Sequence, residues 1–309
     1  MHDLKLKNIS MVLVDPRTQV RTGLRMALND AGLSNSNILD GPDMKTVLDA
    51  LQQSNPPDIL ICDAASMGGD VVKTFRSIRH NEIGNNPFIA IIAVTWDPTA
   101  VTINRVANSG ADFILAAPFS PQQLLDRINS LVHNRIPYIV TSDYIGPDRR
   151  YKSREASKIP LIDVPNSLRE KAIGTFDAKQ FRSQVYGTIG NINGQKMERH
   201  AVALAKHAEV LVEQFETDHN TVDINRLEQL QVAATDLRWR AQDAGLRPII
   251  ELCEALQNVV IKIIDDADNR LVREFELMKQ LSYAIRQSIA VSGQDAILVH
   301  DVARAVSSR

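Results

Sequence analysis

Three polar residues stand at the ends of apolar runs in the first third of the 309-residue chain, and their types suit cation binding or nucleophilic chemistry. Asp15 follows MVLV, Asp63 ends DILICD, and Thr95 ends FIAIIAVT. Carboxylate oxygens are the ligands that hard divalent cations prefer, and a carboxylate can also act as a nucleophile. Either chemistry requires a fold that brings the three side chains together.

Residues 1–134 alternate short apolar runs with helical patterns. The order is MVLVD, RTGLRMAL, NIL, TVLDAL, DILICD, VVKTFRSI, FIAIIAVT, VTINRVA, ADFILAA and QQLLDRINSLV. Runs that are apolar throughout are typical of strands buried on both faces, as in parallel sheets covered by helices. The pattern predicts an α/β domain with a five-stranded, doubly wound parallel sheet. The carboxyl ends of its strands would meet at one edge, where reactive groups gather.

This array of strand-end residues resembles the receiver domain of two-component response regulators, which has a flavodoxin-like fold. The strand order, the spacing and the segment GADFILAAPFS before the last helix carry the resemblance. In receivers an aspartate accepts a phosphoryl group, whose charge is countered by Mg²⁺ and a lysine. The resemblance implies that Asp63 is the phosphoacceptor. It also implies that Asp15, Asp63 and the carbonyl of Ala65 would hold the metal, and that Thr95 would follow the phosphoryl group.

Two positions depart from the receiver pattern. Pro16 stands where the resemblance expects a second acid, and Ala117 stands where it expects the lysine. The Pro16 side chain has no ligand oxygen, and loss of the lysine removes a charge-assisted contact worth roughly 1.5–3 kcal/mol. Asp15 and Asp63 therefore predict at most a weak Mg²⁺ site, and no resident cofactor is expected.

The remaining edge positions allow two interpretations each. Asp63 is either still phosphorylated, with Thr95 reporting it, or a strand-end carboxylate in a pseudo-receiver that only binds partners; the lost acid and lysine favour the second. Asp15 has a turn or helix-capping role as its alternative to metal binding. Trp96 either contacts a partner or covers the site. Ile114 takes the aromatic switch position, with Phe113 on the opposite face of the sheet.

Residues 135–195 are broken by proline, glycine and charge, and predict a linker or an extended strap. No helical or strand pattern persists there. The apolar pieces 138–140 and 159–162 favour a strap lying on a domain or a partner over a free spacer. The basic residues between Arg149 and Lys158 are interrupted by Glu155, and the net charge is −2, so a solvated linker is favoured over nucleic-acid contact.

Residues 196–309 carry apolar stripes at helical spacing and predict a second, all-α domain, a helix bundle. The first stripe comprises Ala201, Leu204, Ala208, Leu211 and Phe215. Gly245 and Ser292-Gly293 are interpreted as turns between helices, followed by a final short helix from about Asp295 to Ser307.

The segment 227–257 resembles the core of a histidine phosphotransfer domain. Thr235 takes the position of the active histidine, and Trp239 stands where a small residue normally admits a response regulator. Thr235 cannot supply an imidazole nucleophile. The alternative is an unrelated bundle. His200 and His207, at i and i+7, are interpreted as surface or half-buried residues and not as a metal pair.

Together these features predict a cytoplasmic two-component (phosphorelay) signalling protein that is not an enzyme. It would be response-regulator-like and act mainly through protein–protein interaction, with a sensor kinase, a phosphotransfer protein or another signalling protein as partner. Self-association through the bundle is a further candidate. The alternative is a conventional response regulator in which phosphorylation of Asp63 controls the helical domain. An enzyme in the helical half is disfavoured, since no catalytic motif stands out.

No nucleic-acid partner and no membrane insertion are expected. The longest apolar runs fall well short of the ~20 residues that span a bilayer. The amino-terminal MHDLKLKNIS lacks the pattern of a secretory signal, and the two cysteines are too few for a disulfide framework. These observations underlie the cytoplasmic expectation.

Overall fold

The computed structural model describes residues 6–53, 55–65, 70–150, 159–218, 222–265 and 272–307, with side chains described as far as residue 291. The chain divides into two compact units, 1–189 and 190–309. In the described part of the chain, no helix combines the length and the apolar character needed to cross a membrane.

The first unit contains the predicted five-stranded parallel sheet, with strand order β2-β1-β3-β4-β5. The strands are β1 (Met11–Val14), β2 (Ile38–Gly41), β3 (Ile59–Asp63), β4 (Ala90–Thr95) and β5 (Phe113–Ala116). The helices that follow them are α1 (Thr18–Asp30), α2 (Met44–Leu51), α3 (Val71–Arg79), α4 (Ala100–Ala107) and α5 (Pro121–His133). The predicted doubly wound fold is confirmed.

Both faces of this sheet are buried, as the uniformly apolar strands predict. Successive residues point to opposite faces, so Leu13 and Ile61 pack with α1 and α5, whereas Val12 and Leu60 pack with α2 and α3. The same alternation places Phe113 with the first layer and Ile114 with the second, as expected. Two packed layers therefore hold the strand ends in fixed positions.

The segment predicted as a linker or strap contains regular structure, so the expectation that no strand or helical pattern persists there is wrong. Strands β6 (Tyr138–Val140) and β7 (Ile145–Pro147) form an antiparallel hairpin, and Ile162 pairs with Tyr138. Helix α6 (Ser167–Ile173) follows. These elements are too short to show a periodicity in sequence.

A buried ionic cluster fastens the hairpin to the sheet. Asp112, just before β5, accepts from Arg79 Nη2 at 2.9 Å, Arg135 Nε at 2.9 Å and the Tyr138 hydroxyl at 3.1 Å. Gly110, with φ of +86°, lies so close that an added Cβ would come within 2.6 Å of Ile145 O. The hairpin is therefore part of the first unit.

Helix α6 is fastened by a second buried ion pair. Lys171 Nζ donates to Asp58 Oδ2 at 2.9 Å, and the same oxygen accepts from Ser10 N at 2.8 Å. Asp58 precedes β3 just as Asp112 precedes β5, so both attachments lie at the amino edge of the sheet. The opposite, carboxyl edge holds Asp63.

The basic cluster of the 149–158 segment is only partly described. Arg149 Nη2 donates to Ala111 O, and Arg150 pairs with Asp148 at 2.8 Å. Lys152, Arg154 and Lys158 lie outside the described residues.

The second unit is all-α, as predicted, and its described residues form four helices that share one core. It contains residues 190–217 of α7 (Ala178–Thr217) together with α8 (Ile224–Asp243), α9 (Arg247–Asp265) and α10 (Val272–Ser307). Each helix contributes to one shared core, as shown by Leu204, Leu237, Leu256 and Met278. Their side chains are fully buried.

Two helix boundaries differ from the sequence prediction. Helix α7 begins at Ala178, well inside the predicted linker, and α10 continues through Ser292-Gly293 without the predicted turn. A glycine inside a helix is less favourable than alanine by only about 0.5–1 kcal/mol. Without a proline beside it, Gly293 therefore does not end the helix.

Candidate functional site

The structure brings the three predicted site residues to the carboxyl edge of the sheet. Val14 pairs with Cys62, and Asp63 pairs with Val94, so Asp15 follows β1 beside the end of β3, and Thr95 ends the next strand. Asp15, Asp63 and Thr95 are each at most 4% exposed. Two carboxylates are thus buried close together in this edge.

An arginine that the sequence reasoning missed bridges the two carboxylates. Arg17 Nε donates to Asp15 Oδ1 at 2.8 Å, and Arg17 Nη2 donates to Asp15 Oδ2 at 2.7 Å and to Asp63 Oδ2 at 2.5 Å. The backbone N–H of Arg17 also donates to Asp15 Oδ1 at 2.8 Å. Asp15 therefore has the predicted turn role and is an ion-pair partner as well.

Trp96 lies over this arginine. The Arg17 Cζ atom is 4.0 Å from the centroid of the Trp96 ring, within the range of a cation–π contact. Trp96 is nevertheless 46% exposed. One face of the indole thus covers the bridging guanidinium, which supports the lid interpretation; contact of Trp96 with a partner stays a prediction.

The electrostatics of Asp63 reflect its buried position. Burial raises the pKa of Asp63 above its usual value, and the neighbouring charge of Asp15 raises it further. The Ala65 N–H, which donates to Asp63 Oδ1 at 2.9 Å, and the Arg17 charge act in the opposite direction. Burial is the larger influence.

The carboxylates as arranged do not fit a Mg²⁺ ion. All four carboxylate oxygens of Asp15 and Asp63 accept hydrogen bonds: three of these oxygens accept from Arg17, and Asp63 Oδ1 accepts from the Ala65 N–H. Pro16 adds no ligand, and no cluster of three or more His, Cys, Asp or Glu in the described residues is placed to hold a metal. A cation would first have to displace the guanidinium.

Thr95 and Ala117 lie at the same edge of the sheet as the two carboxylates. The Thr95 hydroxyl donates to Asp97 O at 3.1 Å and accepts from Asp97 N at 3.2 Å, so it stabilises its own loop. Ala117 follows β5, where its N–H donates to Thr95 O at 2.8 Å, and its methyl side chain brings no charge. The position that would carry a lysine in a receiver thus supplies no cation.

In the second unit, Thr235 is exposed on α8. Its hydroxyl donates to Gln231 O at 2.8 Å and accepts from Gln257 Nε2 at 2.6 Å. Trp239, one turn further along the same helix, is 46% exposed. Both residues therefore lie at the surface of α8.

The expectation that His200 is a surface or half-buried residue is wrong. Its side chain is buried between α7 and α8, with Nε2 2.6 Å from Asp236 Oδ2. Arg240 Nε also donates to Asp236 Oδ2 at 2.9 Å, and Arg240 Nη1 donates to Asn193 Oδ1 at 2.7 Å. His207 is half-buried, as expected. His200 is thus a member of a polar layer between two helices, a feature that an apolar stripe does not indicate.

Several solved structures are similar to part of this chain. The chemotaxis response regulator CheY4 of Vibrio cholerae is 22% identical, with 40% of this chain and 98% of that chain covered and a TM-score of 0.34. The receiver domain of Francisella response regulator 1452 is 18% identical, covering 40% and 94%, with a TM-score of 0.35. A CheY-like receiver domain protein of Methanospirillum hungatei is 16% identical, covering 40% and 91%, with a TM-score of 0.35.

No protein-family model matches the chain, and no curated protein sequence matches it. The fold of the first unit is defined by its own strand order, β2-β1-β3-β4-β5.

Proposed function

We propose that this protein is a response-regulator-like component of two-component signal transduction that acts by binding other proteins and not by accepting a phosphoryl group. The observation that carries the proposal is the 2.5 Å hydrogen bond from Arg17 Nη2 to Asp63 Oδ2. A carboxylate oxygen held by a guanidinium is a poor nucleophile, because its charge is already shared with a cation. Asp63 is therefore a structural acid in a pseudo-receiver.

The groups that would neutralise a transferred phosphoryl group support the same proposal. Phosphoryl transfer depends on positioned cations that counter the charge on the phosphoryl oxygens. Ala117 supplies none, Pro16 adds no metal ligand, and Thr95 hydrogen-bonds within its own loop. Arg17 is the one cation bonded to the two acids among the described contacts, and it occupies the oxygens that a metal would need.

A role in protein binding is supported by two exposed tryptophans. Trp96 is 46% exposed above the bridged carboxylates, and Trp239 is 46% exposed on α8. Exposed tryptophans are frequent anchors of protein interfaces. The proposed partners are a sensor kinase, a phosphotransfer protein or another signalling protein, and self-association is a further form of binding. The proposal includes a cytoplasmic location, in keeping with two free cysteines.

The proposal also includes the absence of enzymatic activity. Cys253, the cysteine of the bundle, is fully buried, and burial raises its pKa to about 12. A thiol in that state is not a useful nucleophile, since the thiolate is the reactive form. Cys253 is therefore a core residue.

The test is incubation with Mg²⁺ and a small phosphodonor such as acetyl phosphate, followed by intact-mass measurement. Neither the native protein nor Asp63→Asn is expected to gain mass. An adduct of about 80 Da, the mass of one HPO₃, on the native chain but not on D63N would overturn the proposal in favour of a conventional response regulator. In parallel, calorimetry with purified sensor kinases and phosphotransfer proteins should find a partner that binds native protein and D63N equally.

A further inference from the structure

We propose that Arg17 is a built-in counter-ion that takes the place of a divalent cation, and that Asp15 and Asp63 bind such a cation only once Arg17 is removed. This inference rests on the proposed function, because it explains how a receiver-like edge remains stable without a metal. It concerns cation binding alone and involves no phosphoryl group.

The carboxyl edge of the sheet buries two negative charges side by side. Asp15 and Asp63 are 3% and 4% exposed, and both are bonded to the same nitrogen, Arg17 Nη2. Burying two carboxylates side by side is strongly unfavourable unless a cation compensates them. Arg17 supplies that cation, and its planar fork engages both oxygens of Asp15.

Arg17 is held in place by several contacts at once. Its backbone N–H donates to Asp15 Oδ1, its guanidinium lies 4.0 Å from the Trp96 ring centroid, and it directly precedes α1. Backbone, ring and both acids thus fix one conformation of the side chain. A dissolved cation must compete with a group that is covalently attached and already oriented, and such a group acts at a high effective concentration.

Removal of the guanidinium would leave two buried carboxylates with free oxygens. Asp15 Oδ1, Asp15 Oδ2 and Asp63 Oδ2 lose their side-chain donors, while Ala65 N still donates to Asp63 Oδ1. Mg²⁺ commonly binds proteins through one or two carboxylates and keeps several waters. Two buried acids freed of their arginine meet that requirement, and the space left by the side chain admits the waters.

Trp96 provides the readout. The chain has two tryptophans, so Trp239→Phe leaves Trp96 as the single fluorophore beside the edge. Four proteins that carry Trp239→Phe are compared: one with the native Arg17, one with Arg17→Ala, one with Arg17→Gln, and one with both Arg17→Ala and Asp63→Asn. Each is titrated with MgCl₂ while Trp96 fluorescence is recorded, and separately with MnCl₂ while free Mn²⁺ is measured by electron paramagnetic resonance. Arg25→Ala is the matched control, because Arg25 is on α1 and pairs with Asp40.

The expected result is saturable binding in the millimolar range for R17A and R17Q, with Kd lower than that of the native protein by about ten-fold or more. R25A should bind Mg²⁺ as weakly as the native protein, and adding D63N to R17A should abolish the increase in Mg²⁺ affinity. Circular dichroism identifies the variants that are folded, and R17Q retains much of the side chain if R17A does not fold.

The proposal is overturned if the native protein binds Mg²⁺ as tightly as R17A or R17Q, or if a folded R17A or R17Q shows no binding. It is also overturned if neither variant folds and the native protein saturates with millimolar Mg²⁺. If neither variant folds and the native protein does not respond to Mg²⁺, the proposal is supported, since the two carboxylates then depend on Arg17 alone. A negative result in these Mg²⁺ titrations does not change the outcome of the phosphodonor test, so the two proposals can fail separately. An adduct at Asp63 without a gain in R17A would remove both proposals.

Discussion

Arg135 and Asp112 form a buried ion pair, with 2.9 Å between Arg135 Nε and Asp112 Oδ1. Arg135 is the first residue after the five-stranded domain that the sequence predicts, and the pair attaches it to the amino edge of the sheet. Burial alone would raise the pKa of Asp112, but Arg135 and Arg79 together hold it below its usual value. Asp112 is thus a charged residue that requires both arginines.

Arg135→Ala should destabilise the first unit by about 3 kcal/mol, because it leaves a buried carboxylate with one cation where it had two. Urea unfolding monitored by circular dichroism measures the loss. The matched control is Arg169→Ala, since Arg169 is exposed and its guanidinium donates a long hydrogen bond, 3.5 Å, to His133 O. Equal losses in R135A and R169A would contradict the assignment of the hairpin to the folded core.

Asp236 predicts a pH dependence of the bundle. Burial opposes its ionisation, but hydrogen bonds from His200 and Arg240 outweigh this and hold the pKa of Asp236 far below its usual value. A carboxylate with a lowered folded pKa stabilises the fold above its unfolded pKa of about 3.9, and that contribution is lost as the pH falls below it.

Asp236→Asn should therefore lower the free energy of unfolding by about 2 kcal/mol at neutral pH, the usual size for hydrogen bonds to a charged group. The difference from native should shrink as the pH falls below about 4. Denaturant unfolding at several pH values checks this, with the exposed Glu228→Gln as control. A deficit in D236N that is the same at every pH would show that charge is not its cause.

The sheet could be predicted from sequence because its three central strands, β1, β3 and β4, are short apolar runs, and burial on both faces follows from such runs. The positions of Asp15, Asp63 and Thr95 at one edge then follow from the topology of a parallel sheet. The role of Arg17 could not be predicted in this way. Its partners depend on the conformation of a long side chain, and the only local signal is a cation two residues after Asp15, next to Pro16.

The hairpin and the polar layer of the bundle were missed for different reasons. The strands β6 and β7 have three residues each, too few to show an alternation. His200 is on an otherwise amphipathic helix, and nothing in its own sequence neighbourhood specifies that Asp236 and Arg240 face it from α8. Contacts between residues distant in sequence decide both features.

Replacing Asp63 or Asp15 by the neutral asparagine should change the free energy of unfolding in opposite directions, although both aspartates are hydrogen-bonded to Arg17. The pKa of Asp63 is raised in the folded protein, so its stabilising contribution is present below the unfolded pKa of about 3.9 and is lost as the pH rises through the folded value. At neutral pH the charge of Asp63 therefore opposes folding.

Asp63→Asn should leave the free energy of unfolding at pH 7 unchanged or raise it by up to about 1 kcal/mol. Asp15→Asn should lower it by roughly 1.5–3 kcal/mol, because Asp15 accepts three hydrogen bonds from Arg17. Thermal and urea unfolding of the two variants are compared directly. A clear loss of stability in D63N would mean that the Arg17 contact outweighs the burial of the Asp63 carboxylate.

Lys171 and Asp58 allow the attachment of α6 to be tested by a double-mutant cycle. Their side chains are 9% and 1% exposed, and 2.9 Å separates Lys171 Nζ from Asp58 Oδ2. Lys171→Met should destabilise the first unit by about 3–5 kcal/mol, because Asp58 keeps its charge in a buried position and its remaining donor among the described contacts is the neutral Ser10 N–H.

Adding Asp58→Asn to K171M should recover part of that loss, since the double variant no longer buries an uncompensated charge. The coupling energy comes from urea unfolding of the native protein, both single variants and the double variant. Lys179→Met is the control, because Lys179 is exposed. If K171M loses no more than K179M, or if the two sites act additively, α6 is not held to the sheet by this ion pair, and apolar contacts of Leu168 and Ala172 with the sheet layer are what fasten it.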